Sequence, residues 1–97
     1  MDVVHVVIGQ TGEYSDRREW MVCGYVDEAM AQEHVRLASA RAREIFTASN
    51  NYDLPYEARE NLVNEYDPDA QSMDYTGTEY YIAAVDIRTA ITAAPKA

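Results

Sequence analysis

The sequence predicts an α+β fold: a three-stranded antiparallel sheet with its first strand in the centre, and one long and one short helix on one face. Short apolar runs of strand character lie near both ends of the chain, and a long segment with helical spacing lies between them. The 97 residues suffice for one domain with a modest core. We place that domain at 1–88 and expect a small-residue tail, 89–97, to be loose.

Three strands are predicted. The run at 3–8 is apolar on both parities, which favours a central strand, β1. A loop at 9–18 leads to alternating apolar residues at 19–26, which predict its hairpin partner, β2. The run at 78–88 predicts β3. Because β1 is the most apolar strand, we expect β2 on one of its edges and β3, also antiparallel, on the other, in the order β2-β1-β3.

Two helices are predicted between the strands. The long helix, α1, should run from the N-cap residue Asp27 to about residue 49, since Asp is a favoured N-cap. Its spacing predicts a buried stripe of Met30, Leu37, Ala38, Ile45 and Phe46. The short helix, α2, should begin at Pro55, whose missing N–H costs nothing at the first helical position. Asp67 and Pro68 should end it.

One face of the predicted sheet has no cover. All three strands carry apolar residues on both faces, whereas two helices cover only one. We place Val7, Tyr80 and Ile82 on the uncovered face, where they would form an apolar patch. We expect a second copy of the chain to cover this patch in a homodimer, with the tail around Ile91 as the alternative.

Acidic residues are concentrated between positions 53 and 79, which contain eight acids and a single base, Arg59, and so account for most of the net charge of −9. Several tyrosines lie in or beside this stretch, and tyrosine is enriched at protein interfaces. Such a surface repels nucleic acids and attracts basic proteins. We therefore exclude direct nucleic-acid binding and predict an acidic interaction surface made of Glu57, Glu60, Glu65, Asp67 and Asp69.

A second candidate site lies where two loops meet. In the predicted topology, the loops at 9–18 and 67–77 lie at the same end of the sheet, and the first is long for a hairpin connection. Arg17 and Arg18 should face the acids of the second loop there. The candidate interaction residues are Thr11, Glu13, Tyr14, Asp16, Arg17, Asp74, Tyr75 and Thr76.

No pattern for cofactor or metal binding is present. The glycine-containing loop after β1 lacks the GK[ST] ending of a phosphate-binding loop, and no helix follows it. The acids Asp67, Asp69 and Asp74 lack the central glycine and closing glutamate of a calcium loop, so we expect them to be solvated or paired with Arg17 or Arg18. We predict no cofactor and no metal.

A cysteine–histidine nucleophile is not expected either. Cys23 and His5 lie on neighbouring strands, but if Ile8 pairs with Glu19, the thiol and the imidazole point to opposite faces of the sheet. We predict that the protein has no catalytic residues. A single cysteine is also consistent with a reducing cytosol. The longest apolar run, at 3–8, is too short to span a membrane.

Two motifs carry a resemblance. The first is Thr11-Gly12-Glu13-Tyr14-Ser15-Asp16-Arg17 after a strand ending in Gly9, followed by Trp20, and the second is Met73-Asp74-Tyr75-Thr76-Gly77-Thr78 before the last strand. With these motifs and its order of elements, about half of the chain resembles a family of small phage- and prophage-encoded proteins with no assigned activity. The resemblance implies a bacterial or phage-infected cytoplasm and transfers no catalytic residue.

Three functions are considered. The first is a non-enzymatic accessory protein that binds another protein through an acidic, tyrosine-rich surface. The second is an acidic mimic of nucleic acid that occupies the binding site of a nucleic-acid-binding protein. The third is a small-ligand binder or enzyme at the loop junction, using Tyr14, Asp16, Arg17 and Tyr75. The first is favoured by the separation of charge and by the lack of a reaction motif.

Overall fold

The computed structural model describes residues 2–12, 17–60, 62–69, 77–89 and 91. Within them the predicted α+β fold is confirmed. The elements, in chain order, are β1 (Val3–Thr11), β2 (Arg18–Tyr25), α1 (Glu28–Ser49), α2 (Tyr56–Glu60) and β3 (Thr78–Asp86). The predicted loose tail lies largely outside the described residues. No helix in the described ranges is long and apolar enough to cross a membrane.

The sheet is antiparallel in the predicted order β2-β1-β3. β1 pairs with β3 without interruption, but its register with β2 shifts between Val7 and Ile8, where Val7 lies opposite Cys23 and Ile8 opposite Met21. Val22 is therefore an extra residue, a β-bulge. The predicted pairing of Ile8 with Glu19 is wrong by two residues, because the connection between Thr11 and Arg18 is centred one residue later than the predicted loop. Val22 and Cys23 both pack against the core.

α1 begins as predicted at Asp27, whose carboxylate accepts a hydrogen bond from the Ala29 N–H at 2.9 Å. Its contact with the sheet is made mainly by small residues, and the buried ones are Ala31, Ala38, Ala42 and Ile45. The predicted stripe was wrong for Met30 and Phe46, which are 54% and 39% exposed. The alanine row lets the helix lie close to the sheet, and Met30 lies about 100° from that row, on the neighbouring side of the helix.

α1 packs against the face of the sheet that the sequence analysis left uncovered, and α2 packs against α1. Val7 and Tyr80 are buried, and Ile82 packs against the same core. The alternation of side chains along each strand correctly predicted which residues share a face of the sheet. It did not predict which of the two faces packs against α1. The other set forms the uncovered face, called the open face below: Val4, Val6, Ile8, Met21, Tyr81, Ala83 and Val85.

α2 is shorter than predicted. It covers only Tyr56–Glu60, and residues 62–69 form neither helix nor strand. The helical spacing wrongly predicted that α2 continues to Asp67. Asn64 and Asp67 are instead buried polar residues, with 3% and 1% exposure. Their side chains bond to other parts of the fold, as described below, and this holds residues 62–69 in an irregular path across α1 and the sheet.

A methyl group at Gly9 should destabilise the fold. A Cβ at this position would lie 2.7–2.8 Å from three atoms of the Trp20 ring, which covers Gly9. We expect Gly9→Ala to lower the free energy of unfolding by about 1–3 kcal/mol, because the ring must move. Urea denaturation followed by Trp20 fluorescence measures this. Unchanged stability would mean that the indole does not lie on Gly9.

Candidate functional site: an acidic segment anchored by a buried carboxylate

The carboxylate of Asp67 lies inside the protein. Its Oδ2 atom accepts hydrogen bonds from the Tyr80 hydroxyl at 2.7 Å and from the Trp20 indole N–H at 2.9 Å. Its Oδ1 atom accepts a bond from the Asp69 backbone N–H at 3.2 Å. All three donors are neutral. Trp20 belongs to β2 and Tyr80 to β3, so this one side chain links the two edge strands across Gly9 of the central strand.

Tyr80 is held in its protonated form. Burial, and then the hydrogen bond to Asp67, raise the pKa of the Tyr80 hydroxyl well above its ordinary value. A phenolate at this position would leave two negative oxygens in contact. The hydroxyl therefore remains a donor to Asp67 throughout the pH range in which proteins normally work.

Asn64 ties the same segment to α1. Its side-chain N–H groups donate to the Ala38 carbonyl at 3.1 Å and to the Tyr80 hydroxyl at 3.3 Å. Its side-chain oxygen accepts a bond from the Tyr66 backbone N–H at 3.0 Å. Arg41 adds a further link, from its Nε atom to the Val63 carbonyl at 3.0 Å. These bonds replace the helical ladder that residues 62–67 do not form.

His34 of α1 is half-buried and bonded through both ring nitrogens. Its Nε2 atom lies 2.7 Å from the Tyr66 carbonyl oxygen and its Nδ1 atom lies 2.7 Å from the Tyr25 hydroxyl. A carbonyl oxygen only accepts, so Nε2 carries the proton. In the neutral ring Nδ1 then accepts from Tyr25. His34 thus fixes Tyr66 against α1 and β2.

Cys23 contacts this histidine. Its sulfur lies 3.7 Å from the Nδ1 atom of His34. The expectation that Cys23 and His5 point to opposite faces was wrong, because the bulge places Cys23 opposite Val7, on the same face as His5. Burial is the largest of the causes that raise the pKa of the Cys23 thiol, which favours the unreactive thiol over the thiolate.

The predicted acidic surface is present only in part. Glu57, Glu65 and Asp69 are exposed, whereas Asp67 is buried and is no part of a surface. The Glu60 side chain lies outside the described residues. The exposed Glu65 carboxylate lies 3.4 Å from the half-buried Arg41, in an ion pair. Sequence spacing does not distinguish Asp67 from the acids around it.

Large apolar side chains are exposed beside these acids. Tyr52, Tyr56 and Val63 are 79%, 65% and 64% exposed. The Arg59 guanidinium carbon lies 4.8 Å from the centre of the Tyr52 ring and 5.9 Å from that of Tyr56, which are cation–π distances. We call residues 52–69 the acidic segment. It combines exposed aromatic area with carboxylates and is held to the fold by Asn64 and Asp67.

The stems of the two predicted loops do meet. Thr11 pairs with both Arg18 and Thr78, and its hydroxyl donates to the Gly77 carbonyl at 2.7 Å. Gly77 has a φ of 81°, which favours glycine. Six candidate loop residues lie outside the described residues: Glu13, Tyr14, Asp16, Asp74, Tyr75 and Thr76.

Arg17 does not face Asp67. It bonds to Glu19 at 2.8 Å and to Gln10 at 2.7 Å. Gln10 donates to Glu79 at 3.4 Å, and the Tyr81 hydroxyl donates to Glu19 at 3.1 Å. The expected pairing of Arg17 with Asp67 fails because Asp67 lies on the covered face of the sheet. The polar row formed on the other face is Gln10, Arg17, Glu19, Glu79 and Tyr81.

Within the part of the chain that the structure describes, no group of three or more His, Cys, Asp or Glu residues is placed to hold a metal ion. No family model, no curated protein and no solved structure matches the chain.

Removing the charge of Asp67 should cost stability. In Asp67→Asn, one acceptor oxygen becomes an N–H₂ group facing two donors, and we expect a loss of about 2–4 kcal/mol in the free energy of unfolding. Asp69→Asn changes the same charge at an exposed position two residues away and should cost less than about 0.5 kcal/mol. Urea denaturation of both variants tests this. Equal stability of the two would contradict the role of Asp67.

Proposed function

We propose that the protein is a small non-enzymatic accessory protein that binds a basic surface of another protein through its acidic segment. The observation that carries this proposal is the exposure of Tyr52, Tyr56 and Val63 beside exposed carboxylates. Isolated exposed apolar residues are common, but two tyrosines in a charged segment match the composition of interface cores and rims.

Charge supports the same proposal. The chain carries a net −9, and Glu57, Glu65 and Asp69 contribute to it from exposed positions in the segment. Carboxylates at the rim of an interface raise the rate of association with a basic partner, and salt weakens this effect. The tyrosines would supply the contact that slows dissociation.

The anchoring of the segment also supports binding. Residues 62–69 have no regular secondary structure, yet Asn64 and Asp67 hold them by hydrogen bonds to α1, β2 and β3. A segment that is ordered before binding loses less conformational entropy when the complex forms. The buried network thus prepares the surface without contacting the partner itself.

The test uses a partner captured on the immobilised chain from bacterial lysate, identified and then purified. We expect Glu57→Gln, Glu65→Gln and Asp69→Asn together to lower the association rate about tenfold at low salt. The matched control is Glu28→Gln, Glu33→Gln and Glu44→Gln, which removes the same charge from exposed positions of α1. Surface plasmon resonance at two salt concentrations gives both rates.

Tyr52→Ala with Tyr56→Ala tests the contact itself and should raise the dissociation rate at least about tenfold. Thermal melting of each variant shows whether it is folded. Equal effects of the two charge variants would show that only overall charge matters and would contradict binding through this segment, as would an unchanged dissociation rate in the tyrosine variant. Salt-independent association would rule out the electrostatic part of the proposal.

A further inference from the structure

The open face of the sheet is apolar and lies on the opposite side of the sheet from α1. Along it, Met21 is 74% exposed, Val85 is 48% exposed, and Ile87 beyond the end of β3 is 47% exposed. The Val4 side chain leans over Gly24, where an added Cβ would lie 2.7 Å from its Cγ2 atom. A contiguous exposed apolar surface of this kind usually marks a contact with another molecule.

The dimensions of the open face fit one helix. Three strands about 4.8 Å apart make a surface about 14 Å wide, and nine residues of strand extend about 30 Å. An α-helix is about 10–12 Å wide, and about 20 residues extend 30 Å. α1, with 22 residues, already covers the other face of the same sheet in this way.

Both ends of the open face carry an excess of acid. At the loop end, the polar row holds the carboxylates of Glu19 and Glu79 against one guanidinium, that of Arg17. At the other end, Asp2 is exposed just before β1, and its carbonyl accepts a bond from the Ile87 N–H at 2.9 Å. Arg88 lies at the same end and pairs with Asp86 at 3.6 Å, so that acids still outnumber bases among the described residues there. The face is therefore an apolar strip between two acidic ends.

This charge pattern selects between two occupants. If a second copy of the chain stacked its open face on this one, acidic ends would meet acidic ends in either strand orientation, and each copy carries −9. A helix with an apolar stripe and basic ends would instead pair every acidic end with a cation. The homodimer expected from the sequence is thus the less favoured occupant.

We propose that the open face binds an amphipathic helix of a partner protein, a helix with an apolar stripe and with lysine or arginine at both ends. This surface is separate from the acidic segment and does not depend on it. The helix would bury Met21 and Val85 and place its cations beside Glu19, Glu79 and Asp2.

The test uses an 18-residue peptide of leucine and lysine, with leucines in one helical stripe and lysines at both ends, and a scrambled peptide of the same composition. We expect ¹⁵N NMR titration to move the signals of β1, β2 and β3 around Met21 and Val85 with the striped peptide only. Met21→Gln with Val85→Thr should weaken binding at least about tenfold without changing charge. The matched control, Tyr52→Ser with Val63→Thr, should change affinity less than about twofold.

Three results would overturn the proposal. Equal binding of the scrambled peptide would mean that charge alone acts, and signal changes confined to the acidic segment would place the peptide on that segment. A concentration-dependent dimer in analytical ultracentrifugation that Met21→Gln with Val85→Thr abolishes would identify a second copy as the occupant. None of these results bears on the rates measured for the acidic segment, so the two proposals fail separately.

Discussion

The carboxylate of Asp67 is the interaction on which the rest of the structure depends. A buried carboxylate is costly unless donors replace the water that it loses, and here the donors come from β2, from β3 and from its own turn. Because burying this carboxylate without its donors is so unfavourable, the acidic segment holds one position against the sheet. An apolar residue at 67 would pack in several ways, whereas the carboxylate is satisfied only where the Trp20 indole and the Tyr80 hydroxyl both reach it.

Gly9 makes this arrangement sterically possible. The central strand carries no side chain between the two aromatic donors, so Trp20 lies over it. The alanine row of α1 has the same consequence further along the sheet, because small side chains let the helix approach. Gly9 under the Trp20 ring and the alanine row of α1 explain why the core formed by the described residues contains few large aliphatic side chains.

The sequence predicted the features that depend on local pattern. The strand order followed from the apolar character of β1, and α1 followed from Asp27 and its helical spacing. Features that depend on distant partners were not predictable in this way. The neighbouring sequence does not distinguish the buried Asp67 from the exposed Asp69. Helical spacing of apolar residues continues through residues 62–66, but these residues form no helix because Asn64 bonds to α1. The side of the sheet that meets α1 was also missed, because alternate residues of both sets are apolar. Gly9 was assigned to the loop after β1, so the position of the Trp20 ring on it was not predicted either.

The most direct test of this account is the indole N–H resonance of Trp20, which is the only tryptophan in the chain. In ¹H–¹⁵N spectra we expect a single indole signal that exchanges slowly with water and that moves in Asp67→Asn but not in Asp69→Asn. An indole N–H that exchanges with water at the rate of an exposed side chain would contradict the claim that Asp67 anchors the acidic segment to the sheet. An indole chemical shift that is unchanged in Asp67→Asn would contradict it as well.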